Sequence, residues 1–394
     1  MANQTFAANA FDVDSPYMLG DWNGTRTALK EKGYDFSFGY TGELANVLDS
    51  NQSSSHGTEY AGQFALGAHF DLEKILGWQD TEAQVTVTER HGRSLSNTSD
   101  ALNGQISSTQ EVWGRGQTWR LTEFWIKKKF FDEKLDVKAG RMGLSADFNS
   151  FACDFQNLAL CGSQMGNWSG DQWYNWPVSQ WGARVKYNIQ PDLYAQVGAY
   201  EHNDENLRRS KGFNLSTDGS DGAVIPVELV WQPKLTPQAL PGEYRVGYFY
   251  STADSNKIDS AGNTLASTDH RQGAWITLKQ QLTAHKGDVN RGLTAWATFN
   301  FFDDKTNAIT NTQSIAVSYV GLFDARPQDE IAFGTSRIHK NLQGYGEEYN
   351  TELYYGIHAT NWLTIRPNVQ YVHNIGANTD KNAWVGGIKF MTVF

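Results

Sequence analysis

The sequence predicts an all-β protein, a transmembrane antiparallel up-and-down β-barrel of about 16 strands. Three observations lead to this prediction. Apolar and polar residues alternate with a period of two along most of the 394 residues. Short and long polar segments alternate between these runs, and aromatic residues gather at the ends of the runs. A mean hydropathy of −0.53 with 13% aromatic residues is too polar for a bundle of membrane helices and too aromatic for disorder.

Residues 1–33 are predicted to precede the barrel and to contain one short helix, in "NGTRTALKEKG". Asn23 or Thr25 can cap this helix, and Gly33 suits the position just after its end. So short a helix needs a surface to dock on, and two placements fit equally: plugging a periplasmic mouth, or packing beside the first strand. The start, "MANQTFAANAFDVDSPYM", lacks a basic region followed by an apolar one, so an exported protein would already have lost its signal peptide.

The third run, "TEAQVTVTERHG", shows the period clearly. Ala83, Val85 and Val87 share one face, and the opposite face is polar. The predicted strands lie near residues 34–48, 58–72, 81–92, 119–130, 134–142, 180–189, 192–203, 222–232, 243–253, 271–283, 291–302, 312–323, 328–338, 347–359, 362–374 and 383–394. Short turns on one side alternate with the longer segments 93–118, 143–179, 204–221 and 254–270, as in membrane barrels. Residues 34–394 are therefore predicted to form one barrel domain.

A soluble β-sandwich also alternates, and a soluble glycan-binding β protein is one alternative. Two observations favour the barrel. The predicted inner face is strongly charged, unlike the packed inner face of a sandwich. Aromatic residues also lie at strand ends, as interfacial girdles do; these are Trp181, Trp231, Trp362, Tyr349, Tyr371 and Trp384.

Cys153 and Cys161 lie in the longest loop, 143–179, and a disulfide in an oxidising compartment suits an even pair at this spacing. A buried pair of free thiols is the alternative. In wide barrels such a loop folds inward and narrows the lumen, so a disulfide would stiffen a constriction. Protection of an exposed loop from proteases is the second reading.

Polar residues on the inner face and in this loop are the candidate contacts for a ligand in the lumen. Trp125 alternates with the outward Phe124 and Ile126, so it is predicted inside, either stacking on a ligand or packing under an infolded loop; Trp275 and Trp296 share this parity. For each charged candidate, a structural ion pair is the alternative. The candidates are Glu89, Arg90, Arg93, Glu123, Trp125, Arg141, Asp147, Asn149, Asp154, Trp168, Asp171 and Trp173, with Asn157 also in the loop.

The segment "GDWNGTRTALKEKG" resembles the start of the OprB family of carbohydrate-selective outer-membrane porins. Further segments resemble the family in order along the chain: "HFDLEKILGWQDTEAQVTV", "EFWIKKKFFDEKLDVKAGRMGLSADF", "YNWPVSQWGARVKYN" and "WLTIRPNVQYVHNIG". The resemblance implies a 16-stranded barrel that passes monosaccharides, glucose foremost, by facilitated diffusion across the Gram-negative outer membrane. It also implies a pore that works as a single chain, with a trimer as the alternative.

Other function classes fit less well. A net charge of −10 argues against a nucleic-acid partner. No serine-hydrolase, zinc-protease or phosphate-loop motif is present, so no enzyme, cofactor or metal site is expected. A general or differently selective channel and, less favoured, a barrel enzyme or adhesin are the alternatives. The expected partners are a monosaccharide, outer-membrane lipid and lipopolysaccharide, and the barrel insertion machinery.

The chain ends in "AWVGGIKFMTVF", which is predicted to be the closing strand. Ile388, Phe390 and Phe394 are expected to face lipid and Lys389 the lumen. Val385 is apolar for a lumen position, and contact with the N-terminal helix or a turn would explain it. Closure removes the unpaired edge that lipid would not tolerate. The resemblance implies that Phe394 is also a signal for the insertion machinery.

Overall fold

A computed structural model describes residues 8–54, 56–170, 172–378 and 380–394, and within them sixteen antiparallel strands form one closed barrel. The strands are β1 Tyr34–Ser50, β2 Thr58–Asp71, β3 Thr81–Gly92, β4 Trp119–Phe130, β5 Leu135–Met142, β6 Gln180–Gln190, β7 Leu193–His202, β8 Gly222–Trp231, β9 Gly242–Ile258, β10 Thr264–Gln281, β11 Gly292–Phe302, β12 Ile309–Val320, β13 Glu330–Lys340, β14 Glu347–Thr360, β15 Leu363–His373 and β16 Asn382–Val393. The predicted fold class is confirmed.

Each strand pairs with its neighbours in the sequence, and β16 closes the barrel on β1. The seam runs from Gly39 opposite Val393 to Ser50 opposite Ala383. Phe394 lies just beyond β16, and its backbone N–H donates to Phe38 O at 2.9 Å. The apolar end of the chain is therefore the last part of the seam, and it leaves no strand edge for lipid to meet.

The hairpin of β9 and β10 corrects one boundary. Residues 254–270 were expected to be a long loop, but β9 reaches Ile258 and β10 starts at Thr264. The hairpin extends past the apolar band, where the outward residues Asp254 and Asn256 are polar and exposed, so the ladder continues after the hydrophobic alternation has stopped. Register shifts between Thr264 and Thr268 and between His270 and Gln272 interrupt this extension.

The described helices are α1 Thr25–Glu31, α2 Leu72–Leu76, α3 Leu95–Thr98 and α4 Met165–Trp168, with short 3-10 turns elsewhere. Helix α1 confirms the short N-terminal helix, but neither Asn23 nor Thr25 caps it with a side chain. Gly24 occupies the N-cap position, and Asp21 Oδ1 instead accepts from Thr27 N at 2.9 Å. Gly33 has a φ of +96°, the left-handed conformation expected after a helix end.

Helix α1 packs against β1, as the second of its two expected placements requires. The Arg26 guanidinium is buried, and its Nη2 donates to Phe36 O at 3.1 Å and to Phe394 O at 3.0 Å. The same guanidinium lies over the Tyr17 ring, 3.5 Å from its centroid. One cation therefore joins the N-terminal segment, the first strand and the last residue.

The outer wall is apolar, as the period of two predicts. Phe124, Ile126 and Phe130 on β4 expose 46%, 43% and 37% of their surface outward. Trp181 and Trp384 lie near the long-loop ends of their strands, and Trp231 and Trp362 near the short-turn ends, which gives two aromatic girdles. None of the helices that the structure describes is long and apolar enough to span a bilayer.

Candidate functional site

Two long loops, 93–118 and 143–179, fold into the barrel and fill much of it. Loop 93–118 places Leu95, Ala101 and Leu102 in an apolar cluster with Val385 of β16. This cluster is the reason for an apolar residue at an inward position of the closing strand. The expected contact with the N-terminal helix is replaced by contact with this loop.

Four glutamates on the barrel wall hold the inward loops by their backbone amides, and all four are buried. Glu348 accepts from Ile106 N at 2.7 Å and Ser107 N at 3.0 Å. The other three contacts are Glu352 with the amides of Gln156 and Asn157, Glu228 with Asn149, and Glu43 with Val112. Hydrogen bonds to a carboxylate are stronger than those between neutral groups. The four glutamates therefore hold the two loops in fixed positions along the barrel wall.

Cys153 and Cys161 form a disulfide in loop 143–179, as predicted in preference to free thiols. Both cysteines line the interior cavity described below. The disulfide therefore lies in the wall of the narrowed lumen, which supports the stiffening role over protection of an exposed loop.

The two loops and the wall formed by β2, β3 and β4 line an interior cavity of about 640 Å³. Its volume falls within the range of small-molecule sites. Its walls combine opposite charges, amides and aromatic rings, among them Gln63, Arg90, Glu111, Trp113, Arg115, Glu123, Phe151, Asn167, Asn175 and Trp176. We call this space the interior cavity.

Gln63 of β2 orients two of these groups together. Its Oε1 accepts from Arg90 Nε at 2.7 Å and from Trp176 Nε1 at 3.0 Å. The Arg90 guanidinium tip is held only loosely, with Nη2 at 3.9 Å from Glu111 Oε2. Free donors on a planar cation therefore lie beside an aromatic ring at the cavity wall.

Glu111 and Arg115 bring further charge to the cavity from loop 93–118. Lys389 Nζ lies 3.0 Å from Glu111 Oε1 and 3.4 Å from Glu43 Oε1, so a buried cation holds two carboxylates. Arg115 Nη2 donates to Gly166 O at 3.0 Å and thereby ties the two loops together. Burial lowers the pKa of the Arg115 guanidinium.

Two predicted ligand contacts, Arg90 and Glu123, line the cavity together with the cysteine pair. Glu123 accepts from Thr86 Oγ1 at 2.6 Å and from Trp125 Nε1 at 3.2 Å. One lumen-facing carboxylate is thus fixed by a neighbour on each side.

The other aromatic candidates pack between the infolded loop and the barrel wall, which for Trp125 and Trp275 was the alternative to contact with a ligand. Trp125 is inward but lies against an apolar cluster, with Lys138 Nζ 5.2 Å from its ring centroid. Trp173 is fully buried against Trp275, at 5.4 Å between ring centroids. Trp168 packs on the same cluster.

The polar loop candidates act as anchors. Asn149 Oδ1 accepts from Ser163 Oγ at 2.8 Å, and Asn157 Nδ2 donates to Gln370 Oε1 at 2.9 Å. Arg141 Nη2 donates to Ser179 O at 2.7 Å. Asp147 pairs with Lys138 at 2.5 Å, and Asp154 pairs with Arg366 at 3.1 Å.

Two charged candidates lie away from the cavity, and one lies outside the described residues. Glu89 alternates with Arg90 and hydrogen-bonds His91 Nδ1 at 2.7 Å on the outer face. Arg93 is exposed and pairs with Glu59 at 2.6 Å. Asp171 falls outside the part of the chain that the structure describes.

A β-bulge explains a buried cation that the sequence pattern missed. Thr86 pairs with Glu123 and Val87 with Leu121, so Thr122 is the extra residue in β4. Both Thr122 and Glu123 point inward, and the parity before the bulge is reversed. Arg120 therefore points inward, and it donates to Arg115 O at 2.8 Å and Asn206 O at 2.8 Å. The residues of loop 93–118 that face the cavity follow no period of two, so the sequence pattern could not identify them.

Among the residues that the structure describes, one group has the proximity of a metal site: Glu111, Cys153 and Cys161. Its two sulfurs are joined in the disulfide, so they are not free thiolates and the group does not suit a metal ion.

Comparisons with known proteins agree with this architecture. The family described as "Carbohydrate-selective porin, OprB family" matches residues 55–394. Porin B of Pseudomonas aeruginosa is 51% identical over 430 residues, which cover 100% of this chain and 95% of the relative.

Two solved structures extend the likeness to three dimensions. The high-pH structure of Pseudomonas putida OprB has a TM-score of 0.94 at 51% identity and covers 98% of this chain and 100% of that chain. The low-pH structure of the same protein has a TM-score of 0.68 at 44% identity with the same coverage. The chain belongs to the OprB family of carbohydrate-selective porins and is a transporter of the Gram-negative outer membrane.

Proposed function

We propose that this porin passes neutral monosaccharides, glucose among them, by passive diffusion through the interior cavity, and that one chain makes a complete pore. The observation that carries the proposal is the shared hydrogen-bond acceptor Gln63 Oε1, which sets the Arg90 guanidinium beside the Trp176 ring. A channel without selectivity for sugars does not need a guanidinium group and an aromatic ring side by side in its lumen.

A monosaccharide offers hydroxyl groups around its edge and an apolar C–H face. The guanidinium of Arg90 can donate to hydroxyls while Glu123 accepts from them. The Trp176 ring can stack on the C–H face of the same sugar. The amides of Asn167 and Asn175, which also line the cavity, can donate or accept.

Passage requires these contacts to be weak enough to release the sugar. Gln63 and Glu123 of the cavity wall already have protein partners, so a sugar gains few new hydrogen bonds from them. Glu123 holds two hydrogen bonds from the wall, which limits what it gains from a sugar. The expected affinity is therefore low, in the millimolar range typical of about −4 kcal/mol.

Single-channel recording in planar bilayers tests the proposal. Millimolar glucose should reduce the ion conductance of the purified protein reversibly, and monosaccharides should swell proteoliposomes. Conductance that does not change with glucose, together with equal swelling rates for sugars and amino acids of similar size, would identify a general channel.

Two tryptophans provide a matched pair of variants. Trp176→Leu removes a ring that lines the cavity, whereas Trp168→Leu removes a half-buried ring that packs on the apolar cluster and does not line the cavity. The glucose block should weaken in the first variant by about fivefold to tenfold, for roughly 1–1.5 kcal/mol of lost stacking. The second variant should retain the block. Equal effects in both variants would contradict the assignment of Trp176.

The number of chains in a pore needs a separate measurement. The measurement compares the conductance steps of monomeric protein with those of a covalent dimer at the same insertion rate. Each inserted chain should add one conductance step of the same size. A smallest step that corresponds to three chains would contradict the single-chain pore.

A further inference from the structure

We propose that a patch on the outer rim of the barrel binds the phosphorylated glycolipid of the outer leaflet, lipopolysaccharide, through its lipid A part. We call it the rim patch, and it consists of Trp119, Arg209, Lys211, Phe213 and Leu215. The proposal is independent of the sugar that the pore selects.

The rim patch lies on the outside of the barrel at the long-loop end. Loop 203–221 runs beside the upper end of β4, where Leu121 N donates to Gly212 O at 2.8 Å. It then crosses the outer face of β6, because the outward side chain of Trp181 donates from Nε1 to Leu215 O at 3.1 Å. Residues 212–215 of the loop therefore add to the outer wall, whereas the start of the loop lies on the inner side, where Arg120 donates to Asn206 O at 2.8 Å.

Three large apolar side chains of the patch are exposed at the level of the upper aromatic girdle. Trp119, Phe213 and Leu215 expose 48%, 55% and 51% of their surface. Trp119 begins β4, so the patch is at the boundary between the acyl chains and the headgroups. Such residues on a loop facing water would be costly, and contact with acyl chains removes that cost.

Two cations beside these side chains are available for an anionic group. Their neighbours are already paired: Arg208 with Glu205 at 2.8 Å and Arg93 with Glu59 at 2.6 Å. In the parts of the chain that the structure describes, neither Arg209 nor Lys211 forms an ion pair. A chain with a net charge of −10 thus presents two free cations at one headgroup site.

A surface cavity of about 460 Å³ joins the cations to the apolar side chains. It is lined by Thr118, Trp119, Arg209, Ser210, Lys211, Gly212, Phe213 and Asn214, and this described lining contains no carboxylate. Thr118, Ser210 and Asn214 supply hydrogen-bond partners for sugar hydroxyls and amides. The combination fits a phosphorylated glucosamine headgroup whose acyl chains run down the apolar wall.

Titration of the full-length protein in detergent with lipid A carrying two phosphates, followed by native mass spectrometry, tests this site. The double variant Arg209→Gln/Lys211→Gln should bind roughly 25-fold more weakly, the product of about fivefold for each cation near an anionic membrane surface. Binding of lipid A to the unmodified protein should also weaken as the salt concentration is raised. Dephosphorylated lipid A should bind the unmodified protein as weakly as lipid A binds the double variant.

The matched control is Lys257→Gln/Lys305→Gln. It removes two cations that both pair with Asp269 on the hairpin side of the same rim. This control should bind lipid A within about threefold of the unmodified protein. Heat-modifiable mobility on gels and an unchanged glucose block verify that both variants keep a folded pore.

Three results would overturn the proposal. Equal weakening in both double variants would show general electrostatic attraction, and equal binding of lipid A with and without phosphates would show a purely apolar contact. Displacement of lipid A by an equal concentration of inorganic phosphate would show a free-anion site. Phe213→Ser gives an independent readout, since it should weaken lipid A binding without changing the charge.

Discussion

Replacement of Glu352 by glutamine should loosen loop 143–179 while leaving the barrel intact. Glu352 is on β14 and exposes 1% of its surface. Its carboxylate accepts from Gln156 N at 2.9 Å and from Asn157 N at 2.7 Å. Glu352→Gln keeps the volume of the side chain but turns one acceptor oxygen into a donor.

The magnitude follows from those two contacts. A glutamine can satisfy one loop amide with its remaining oxygen, and its NH₂ group then faces the other amide as a second donor. A buried hydrogen bond to a charged group contributes about 1.5–3 kcal/mol. A loss of about 2 kcal/mol corresponds to roughly a thirtyfold increase in the population with the loop released.

Hydrogen exchange of the folded protein measures this population. Protection of the amides of residues 156 and 157 should fall about thirtyfold in Glu352→Gln, with protection of the strand amides unchanged. The control Glu347→Gln is on the same strand, where Glu347 is part-exposed and pairs with Arg337 at 2.8 Å. Unchanged protection at residues 156 and 157, or an equal loss in the control, would refute the role of the wall glutamate.

Three further predictions concern the cavity, the disulfide and the seam. Arg90→Gln should weaken the glucose block about tenfold, for about 1.5 kcal/mol of lost charged hydrogen bonding, with ion conductance changed less than about twofold; an unchanged block in bilayer recordings would remove Arg90 from the sugar contacts. The double variant Cys153→Ser/Cys161→Ser should release about 2–3 kcal/mol of loop constraint and raise open-channel current noise, whereas noise equal to that of the unmodified protein would show that the loop is rigid without the bond. Deletion of Phe394 removes its hydrogen bonds with Phe38 and Arg26 and should lower the heat-modifiable, folded fraction in outer membranes before sugar passage changes; normal assembly would contradict this.

The sequence pattern located all sixteen strands because each strand has one face in lipid and one toward the lumen. The β9–β10 hairpin is longer than predicted, because its outward residues beyond the apolar band, such as Asp254 and Asn256, are polar. The pattern also assigned Arg90 and Glu123 to the lumen, and both line the cavity. It failed at Arg120, where the bulge at Thr122 reverses the parity.

The loop residues were harder to assign from the sequence. Trp173 and Asn149 were candidate contacts for a ligand, but the structure buries both between the infolded loop and the barrel wall. Glu111, Arg115 and Trp176, which do line the cavity, were not selected. Inward loops have no periodicity, so residue type alone does not distinguish an anchor from a lining residue.

The sequence by itself determined the barrel, its strand number, its closing strand at the chain end, the disulfide partners and, through resemblance, the family. These properties depend on the period of two and on covalent spacing, which are local along the chain. The tertiary structure alone decided which loop residues reach the cavity. Their positions depend on carboxylates far away in the sequence, such as Glu348 holding Ile106 and Glu352 holding Gln156, because backbone amides carry no side-chain signal of the partner that will bind them.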